Sequence, residues 1–522
     1  MESQSDPRNA SKPRPPEWVW AAFVLAGAAL IRWPHLQRIP RFTDEVLLWR
    51  LAVDVLQGGY RPLVFEDTGY NGPILIYLLA ALRSATSAVT APRLLALALG
   101  SGSVLLVYLL GRELRGRSAG LVAAAFMGIS ATPVLVYSHV LHMTSLAVPL
   151  LCLSYWAATQ AERRGSGPWL LLTAVSAGLA VQTHPLCAAF LPGLLLWLWR
   201  RPPWRRRLIG PWGALALLVL LAAYSPVIVH LLRAPGGEAG PALSGVAEDL
   251  GRHLFRGQPY AKYAKGMVNL SRSLMDALSG TAHDAARPAA QDPLVWLMLG
   301  LVLAGVWSSA RRGRDLPLHL TVSAMICLPL LMAEYDNTLL ARYSGLALPA
   351  LHLAIGVGAA DWLQRPWAGG RDPGRNFSTA SSALLITIAL AALAGRLIVH
   401  YRVESAARRS NDDLLTIASL AEASGQPVVL DGRIKRTNGR GTGPSGVLQG
   451  IFAWRGVELK KQSDPTELDA YLQAISWPAQ VVLSDDTLPH LDAGLLLRPV
   501  PAGHVAPISD VGGWGLYALE PR

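Results

Sequence analysis

Two carboxylates side by side, Asp44 and Glu45, follow shortly after the first apolar stretch of this chain. A carboxylate drawn toward hydrocarbon costs roughly 2.5–3.5 kcal/mol, so an acidic pair in such a place usually faces a wet cavity. The same pair also suits the start of a helix. Thr43 or Asp44 would be the N-cap, and the acids would sit at the positive end of the helix dipole. The residues by themselves support both readings.

Two further clusters carry chemistry. Between 252 and 265 lie Arg252, His253, Arg256, Gln258, Tyr260, Lys262, Tyr263 and Lys265. Ammonium and guanidinium groups pair with phosphate oxygens, so this cluster could hold a lipid phosphate or a sugar. It could equally be a solvated helix face at headgroup level. His139 and His142, three apart, would share one helix face. With His184 and Glu45 they invite a divalent-metal reading, set against the commoner one of hydrogen-bonded histidines at span ends. Cys152, Cys187 and Cys327 fall inside apolar runs and form neither a disulfide framework nor a metal spacing.

The elements that must position these residues are membrane spans. The chain has 522 residues, 52% hydrophobic and 16% charged, with a mean hydropathy of +0.31. A soluble chain carries about 25% charged residues, so the apolar excess belongs in lipid. Apolar runs near 17–34, 93–111, 118–137, 143–160, 168–183, 185–199, 208–231, 292–309, 316–333, 343–363 and 379–400 approach the length a span needs. Two shorter stretches, Val46 to Leu56 and Pro73 to Leu82, read as amphipathic helices lying at the interface. Ala26-Gly27-Ala28 lies inside the first run, which reads as an uncleaved anchor. The net charge of +12 comes largely from arginines between the runs. With eleven spans and a cytoplasmic N-terminus, Arg112, Arg115 and Arg117, Arg163 and Arg164, Arg200 to Arg207, Arg311 to Arg314 and Arg365 to Arg375 all face inside. Counting Pro73 to Leu82 as a span moves nearly all the later clusters outside, which the positive-inside rule rejects. The same pattern makes nucleic acid a poor partner.

The expected fold class is therefore a multi-spanning α-helical membrane protein with about eleven transmembrane helices. Residues 1–16 are a disordered cytoplasmic N-terminus, and 17–400 form the membrane domain, with outer loops at 35–92 and 232–291. Residues 401–522 form a small extracytoplasmic α/β domain. Its strands are expected at Pro427–Leu430, Val457–Lys460, Gln480–Leu483 and Gly515–Leu519, and its helices near 411–424 and 465–476. Gly439 to Gly446 lacks the ending of a phosphate-binding loop and reads as a surface loop.

An anchor span, an outer loop with an acidic pair and two interfacial helices, then many spans: this resembles the polytopic glycosyltransferases that use polyprenyl-phosphate sugars. That superfamily includes protein O-mannosyltransferases and the lipid A aminoarabinose transferases. The resemblance covers roughly residues 17–400. It rests on Thr43-Asp44-Glu45, Gly69-Tyr70-Asn71-Gly72-Pro73, Tyr137-Ser138, Gln182-Thr183-His184-Pro185, and Ala341-Arg342-Tyr343 with Pro349. It implies an inverting transfer of a monosaccharide from a polyprenyl-phosphate donor to an acceptor hydroxyl, outside the cytoplasmic membrane. The expected catalytic residues are Asp44, as general base, and Glu45. Glu45 would orient a sugar or make Asp44 a stronger base by like-charge repulsion. The expected substrate-binding residues are Tyr70, Asn71, His139, His142, His184, Arg256, Lys262, Arg342 and Tyr343, with Arg342 stabilising the departing lipid phosphate. The partners would be the donor lipid, membrane lipids and a lipid, polysaccharide or protein acceptor. No cofactor is expected, because a monophosphate leaving group does not demand a divalent ion.

The chain also departs from its relatives. Thr144 stands where many carry a second carboxylate, Asn71-Gly72-Pro73 replaces a Glu-Lys-Pro, and His184 replaces a Lys. These departures bear on the substrate, and the first also leaves room for an inactive lipid-sugar-binding homologue. A transporter or flippase for a lipid-linked sugar is the other alternative. Transporters tend to place charged or broken helices at mid-membrane, whereas the polar residues here lie at the outer face.

Overall fold

The computed structural model describes residues 15–34, 36, 43–64, 71–131, 138–139, 141–233, 259–279, 289–313, 315–332, 344–363, 373–406, 418–420, 422–424, 428–431, 451–455, 459–462, 479–484, 496–505 and 514–520. The N-terminal segment 1–14, the Gly439 to Gly446 loop and the helix expected near 465–476 lie outside the described residues, as do positions 411–417 of the other expected helix.

The helices are α1 (Glu17–Arg32), α2 (Thr43–Leu56), α3 (Ile74–Ala85), α4 (Ala91–Arg115), α5 (Arg117–Ile129), α6 (Met143–Arg164), α7 (Gly167–Thr183), α8 (Leu191–Trp199), α9 (Pro202–Ile209), α10 (Pro211–Arg233), α11 (Pro259–Ser279), α12 (Pro293–Arg311), α13 (Leu316–Met332), α14 (Leu348–Leu363) and α15 (Pro373–Ala406). A 3₁₀ turn, Pro185–Phe190, leads into α8. Each of the eleven apolar runs falls on a helix, α8 together with its 3₁₀ turn serving as one of them. Five helical stretches are long and apolar enough, by length and composition, to cross a membrane: Ala91–Arg115, Pro211–His230, Pro293–Arg311, Gly345–Leu363 and Ala380–Val399. The two short stretches of the first loop fall on α2 and α3. The sequence expectation omits α9 and α11, both too polar to register as spans.

The arginines that alternate along the sequence meet in space. At one end of the bundle Glu17 of α1 pairs with Arg117 of α5 at 2.6 Å and with Arg112 of α4 at 3.6 Å. Glu113 takes Arg112 and, from α6, Arg163. Arg201, just after α8, reaches Asp315 at the start of α13 at 2.8 Å. Asp361 of α14, buried, takes Arg115 of α4, Arg312 after α12 at 3.2 Å and the Ser308 hydroxyl at 2.5 Å. The chain turns within this layer through Gly116, which separates α4 from α5 with φ 93° and ψ 179°, a conformation open essentially to glycine.

The C-terminal strands are β1 (Val428–Asp431), β2 (Leu459–Gln462), β3 (Ala479–Ser484), β4 (Leu496–Val505) and β5 (Trp514–Glu520), in the order β2-β1-β3-β5-β4. β1 runs parallel to β2 and β3, while β5 is antiparallel to β3 and β4. β4 is missing from the sequence expectation because Pro499, Pro501 and Gly503 argue against a strand. It lies at the sheet edge, where a missing N–H costs little, and its register slips between Pro499 and His504.

One apolar core fills the helix bundle. A second joins the first loop to the C-terminal unit. Leu48, Trp49 and Ala52 of α2 and Leu75, Ile76 and Leu79 of α3 pack with Val428, Ile451, Phe452, Trp454 and Val482. The rings of Trp49 and Trp454 lie 5.6 Å apart, and the Trp454 indole N–H donates to the Ala88 carbonyl at 3.2 Å.

Candidate functional site

At the end of the bundle opposite the ion-paired layer, α2 starts with Thr43-Asp44-Glu45, which puts both acids in its first turn. Glu45 is fully buried. Arg93, third residue of α4 and equally buried, donates from Nε to Glu45 Oε1 at 2.9 Å and from a terminal nitrogen to Oε2 at 2.8 Å. Its other terminal nitrogen donates to the Leu36 carbonyl at 2.8 Å. This two-pronged fork fixes both distance and rotation between α2 and α4. Asp44 is the adjacent residue of α2, with its side chain outside the described residues.

The Asn71-Gly72-Pro73 and Gln182-Thr183-His184-Pro185 motifs, 111 positions apart at Asn71 and Gln182, touch directly. The Gly72 N–H donates to the Gln182 carbonyl at 2.5 Å. A Cβ on residue 72 would run into the Gln182 side chain, so the approach needs glycine. Asn71 beside it is buried. The Gln182 amide in turn donates to Ala223 of α10 at 2.7 Å.

His142 and His184 sit at helix ends. His142 caps α6: its Nδ1 accepts from the Thr144 N–H at 3.3 Å and lies 3.0 Å from the Thr144 hydroxyl, while its own N–H donates to Ser145 Oγ at 3.1 Å. His184 caps the 3₁₀ turn, with Nδ1 accepting from the Leu186 N–H at 3.3 Å. These bonds occupy Nδ1 and leave the proton of the neutral ring on Nε2. His139 lies edge-on to Tyr401 of α15, Nε2 to hydroxyl 3.4 Å, and the same hydroxyl donates to the Ile31 carbonyl at 2.7 Å. Among the described residues no group of three or more His, Cys, Asp or Glu is placed to hold a metal ion.

Ser138, the described half of the Tyr137-Ser138 motif, receives a bond from Arg32 Nε at 2.9 Å. Arg32 is fully buried and also donates to the carbonyls of Ala28, Met127 and Gly128. The last two belong to the final turn of α5, whose carbonyls have no partner within the helix. Ser138 packs so tightly on α4 that a Cβ at Gly100 would overlap it.

Tyr70, Arg256, Arg342 and Tyr343 lie outside the described residues, and Lys262 lies on α11 with its side chain outside them. The residue after Tyr343 is described: Ser344 accepts a bond at 2.6 Å from Ser273 of α11, both buried. Nearby, Arg396 of α15 pairs with Asp292 at the start of α12 and donates to the Ser279 carbonyl at 2.8 Å.

Sequence reasoning misses Arg93 and Arg32. Both are fully buried with partners distant in sequence, which local composition does not reveal.

Residues 71–230 match the sequence profile of the dolichyl-phosphate-mannose-protein mannosyltransferase family. No curated protein sequence matches the chain. Among solved structures, ArnT from Cupriavidus metallidurans bound to undecaprenyl phosphate is similar at 14% identity, over 96% of this chain and 98% of that one, with a TM-score of 0.56. The oligosaccharyltransferase of Archaeoglobus fulgidus, tethered with an acceptor peptide containing the NVT sequon, is similar at 14% identity over 97% of this chain and 75% of that one, with a TM-score of 0.50. In fold over nearly its whole length, and in sequence over residues 71–230, the chain resembles the polytopic membrane glycosyltransferases that depend on polyprenyl phosphate.

Proposed function

We propose that this protein transfers a monosaccharide from a polyprenyl-phosphate donor to an acceptor hydroxyl, with inversion, at the end of the bundle that carries α2. The acceptor oxygen attacks the anomeric carbon and gives its proton to the Asp44 carboxylate. The bond from that carbon to the phosphate oxygen breaks, and the lipid phosphate leaves with the electron pair. A positioned base contributes roughly 10²–10⁴-fold to such a step. Arg342, with Arg256 and Lys262 as further cations, stabilises the departing phosphate. In this reading the Asp44 end is extracytoplasmic, the N-terminus is cytoplasmic and the C-terminal unit is extracytoplasmic.

The observation that supports this most is the buried Glu45–Arg93 fork. A base must be held in place, and the residue beside Asp44 is locked to α4 through both carboxylate oxygens. Glu45 is accordingly proposed as a positioning residue, because its oxygens are engaged by Arg93. His142 and His184 are proposed to shape the site through the turns they cap. The test is to incubate the purified protein with radiolabelled polyprenyl-phosphate sugars and membrane extract. Label moving to a non-donor product supports the reading, and label that stays on the donor with every sugar counts against it.

A further inference from the structure

α2 presents two stripes at the i, i+3, i+4, i+7 spacing of one helix face. Glu45, Leu48, Trp49 and Ala52 form the buried one. Leu47, Arg50, Leu51 and Asp54 form the other, on the opposite side, and line a groove of about 630 Å³ with Gln57, Gly59 and Tyr60. That volume lies within the range of small-molecule sites, about 300–1,000 Å³. The groove is built rather than incidental. Gly58, just beyond α2, takes φ 78°, a conformation that favours glycine, and Tyr60 two residues on lines the groove. The returning segment is pinned to α3 by a Tyr77 hydroxyl bond to the Pro62 carbonyl at 3.1 Å.

We propose that this groove binds a sugar ring of the acceptor, an inference that rests on the transferase reading above. The Tyr60 ring offers flat apolar surface to the C–H face of a sugar, and the parts of Leu47 and Leu51 not packed against the second core add aliphatic surface beside it. Arg50, Asp54 and Gln57 offer planar donors and acceptors to its hydroxyls. Arg50 and Asp54 stand at i and i+4 of α2, and both line the groove. Their charges are opposite, so the lining is neutral overall and suits an uncharged polyol. A donor phosphate would meet Asp54 as well as Arg50. The groove also runs toward the catalytic end: Leu47 lies three residues from position 44, about 4.5 Å along the axis, and Asp54 about 15 Å. Position 44 is i−3 to Leu47 and i−4 to Leu48, at the boundary between the two stripes.

Two measurements test this separately from the transferase reading. The first needs no turnover. Gln57→Cys is labelled with a maleimide in the presence of methyl glycosides of glucose, mannose, galactose and arabinose. At least one glycoside should slow labelling, and Tyr60→Ala in the same background should abolish that protection. Protection by none of them, or protection untouched by Tyr60→Ala, overturns the groove as a sugar site. The second uses labelled donor and membrane extract as acceptor. Arg50→Ala and Tyr60→Ala should each raise the half-saturating extract concentration about tenfold, the loss of one good contact, while half-saturation by donor stays put. A rise for donor instead would make the groove a donor site, and a labelled protein as the sole product would make the acceptor a peptide. Either result overturns the proposal, whereas absence of all transfer alongside intact glycoside protection would fault the transferase reading alone.

Discussion

Arg93 and Glu45, separated by 48 positions, meet as a two-pronged ion pair in which neither side chain is exposed to solvent. The proposed placing of Asp44 depends on this contact, because it ties the helix carrying Asp44 to α4, a helix of 25 residues. Removing one partner of a buried pair leaves the other charge uncompensated, at a cost of about 3–5 kcal/mol. Arg93→Met and Glu45→Gln should each lower the thermal unfolding temperature in detergent. Arg93→Met combined with Glu45→Met should recover much of that loss, since paired apolar replacement of a buried ion pair is often neutral. The double variant should nevertheless transfer slowly, because apolar contact does not fix the rotation of α2. Full activity in the double variant would reduce the pair to a packing element.

The second prediction concerns Gly72. Alanine there places its Cβ against the Gln182 side chain, and overpacking of this kind costs about 1–3 kcal/mol. Gly72→Ala should therefore destabilise the protein, and Gln182→Ala in the same chain should restore part of the loss. The unfolding temperatures of the two single variants and the double variant form the cycle that checks it. Strict additivity would mean that the two motifs do not touch.

Trp454 supplies a third. Its ring is fully buried against Trp49, and its indole N–H bonds to Ala88, so the C-terminal unit shares a core with α2 and α3. Trp454→Ala should cost about 3–5 kcal/mol and expose the C-terminal unit to protease while the spans stay protected. Trp454→Phe keeps a ring and loses only the hydrogen bond, so it should lie much nearer to wild type. Equal protease resistance in all three proteins would show that this contact does not hold the unit in place.

Much of this architecture is readable in the sequence, for a physical reason. Spans are written in local composition, so each of the eleven apolar runs meets a helix among the described residues, and the two shorter stretches fall on α2 and α3. The alternating arginines foretell which helix ends gather, as the pairs on Glu17, Glu113, Asp315 and Asp361 bear out. The contents of the site are less readable, since pairing is not local. Nothing near Glu45 points to Arg93, and nothing near Gly72 points to Gln182. His142 and His184 take the commoner of the two roles weighed for them, each accepting from a nearby backbone N–H. β4 escapes notice because its prolines are acceptable only at an edge, and edge position is a property of the assembled sheet.

The most direct test of the central claim is the transfer rate of Asp44→Asn. Asn keeps the size of the side chain, and losing a first-turn charge at the helix N-terminus costs only about 0.3–1 kcal/mol, so folding and donor-lipid binding should persist. Its amide has no lone pair basic enough to take the hydroxyl proton. Transfer from labelled donor to membrane extract, measured at saturating donor, should fall by at least about 100-fold. Glu45→Gln, assayed alongside at a temperature where it remains folded, should lose less. Transfer by Asp44→Asn within a few-fold of wild type would contradict Asp44 as the base and, with it, the mechanism proposed for this protein.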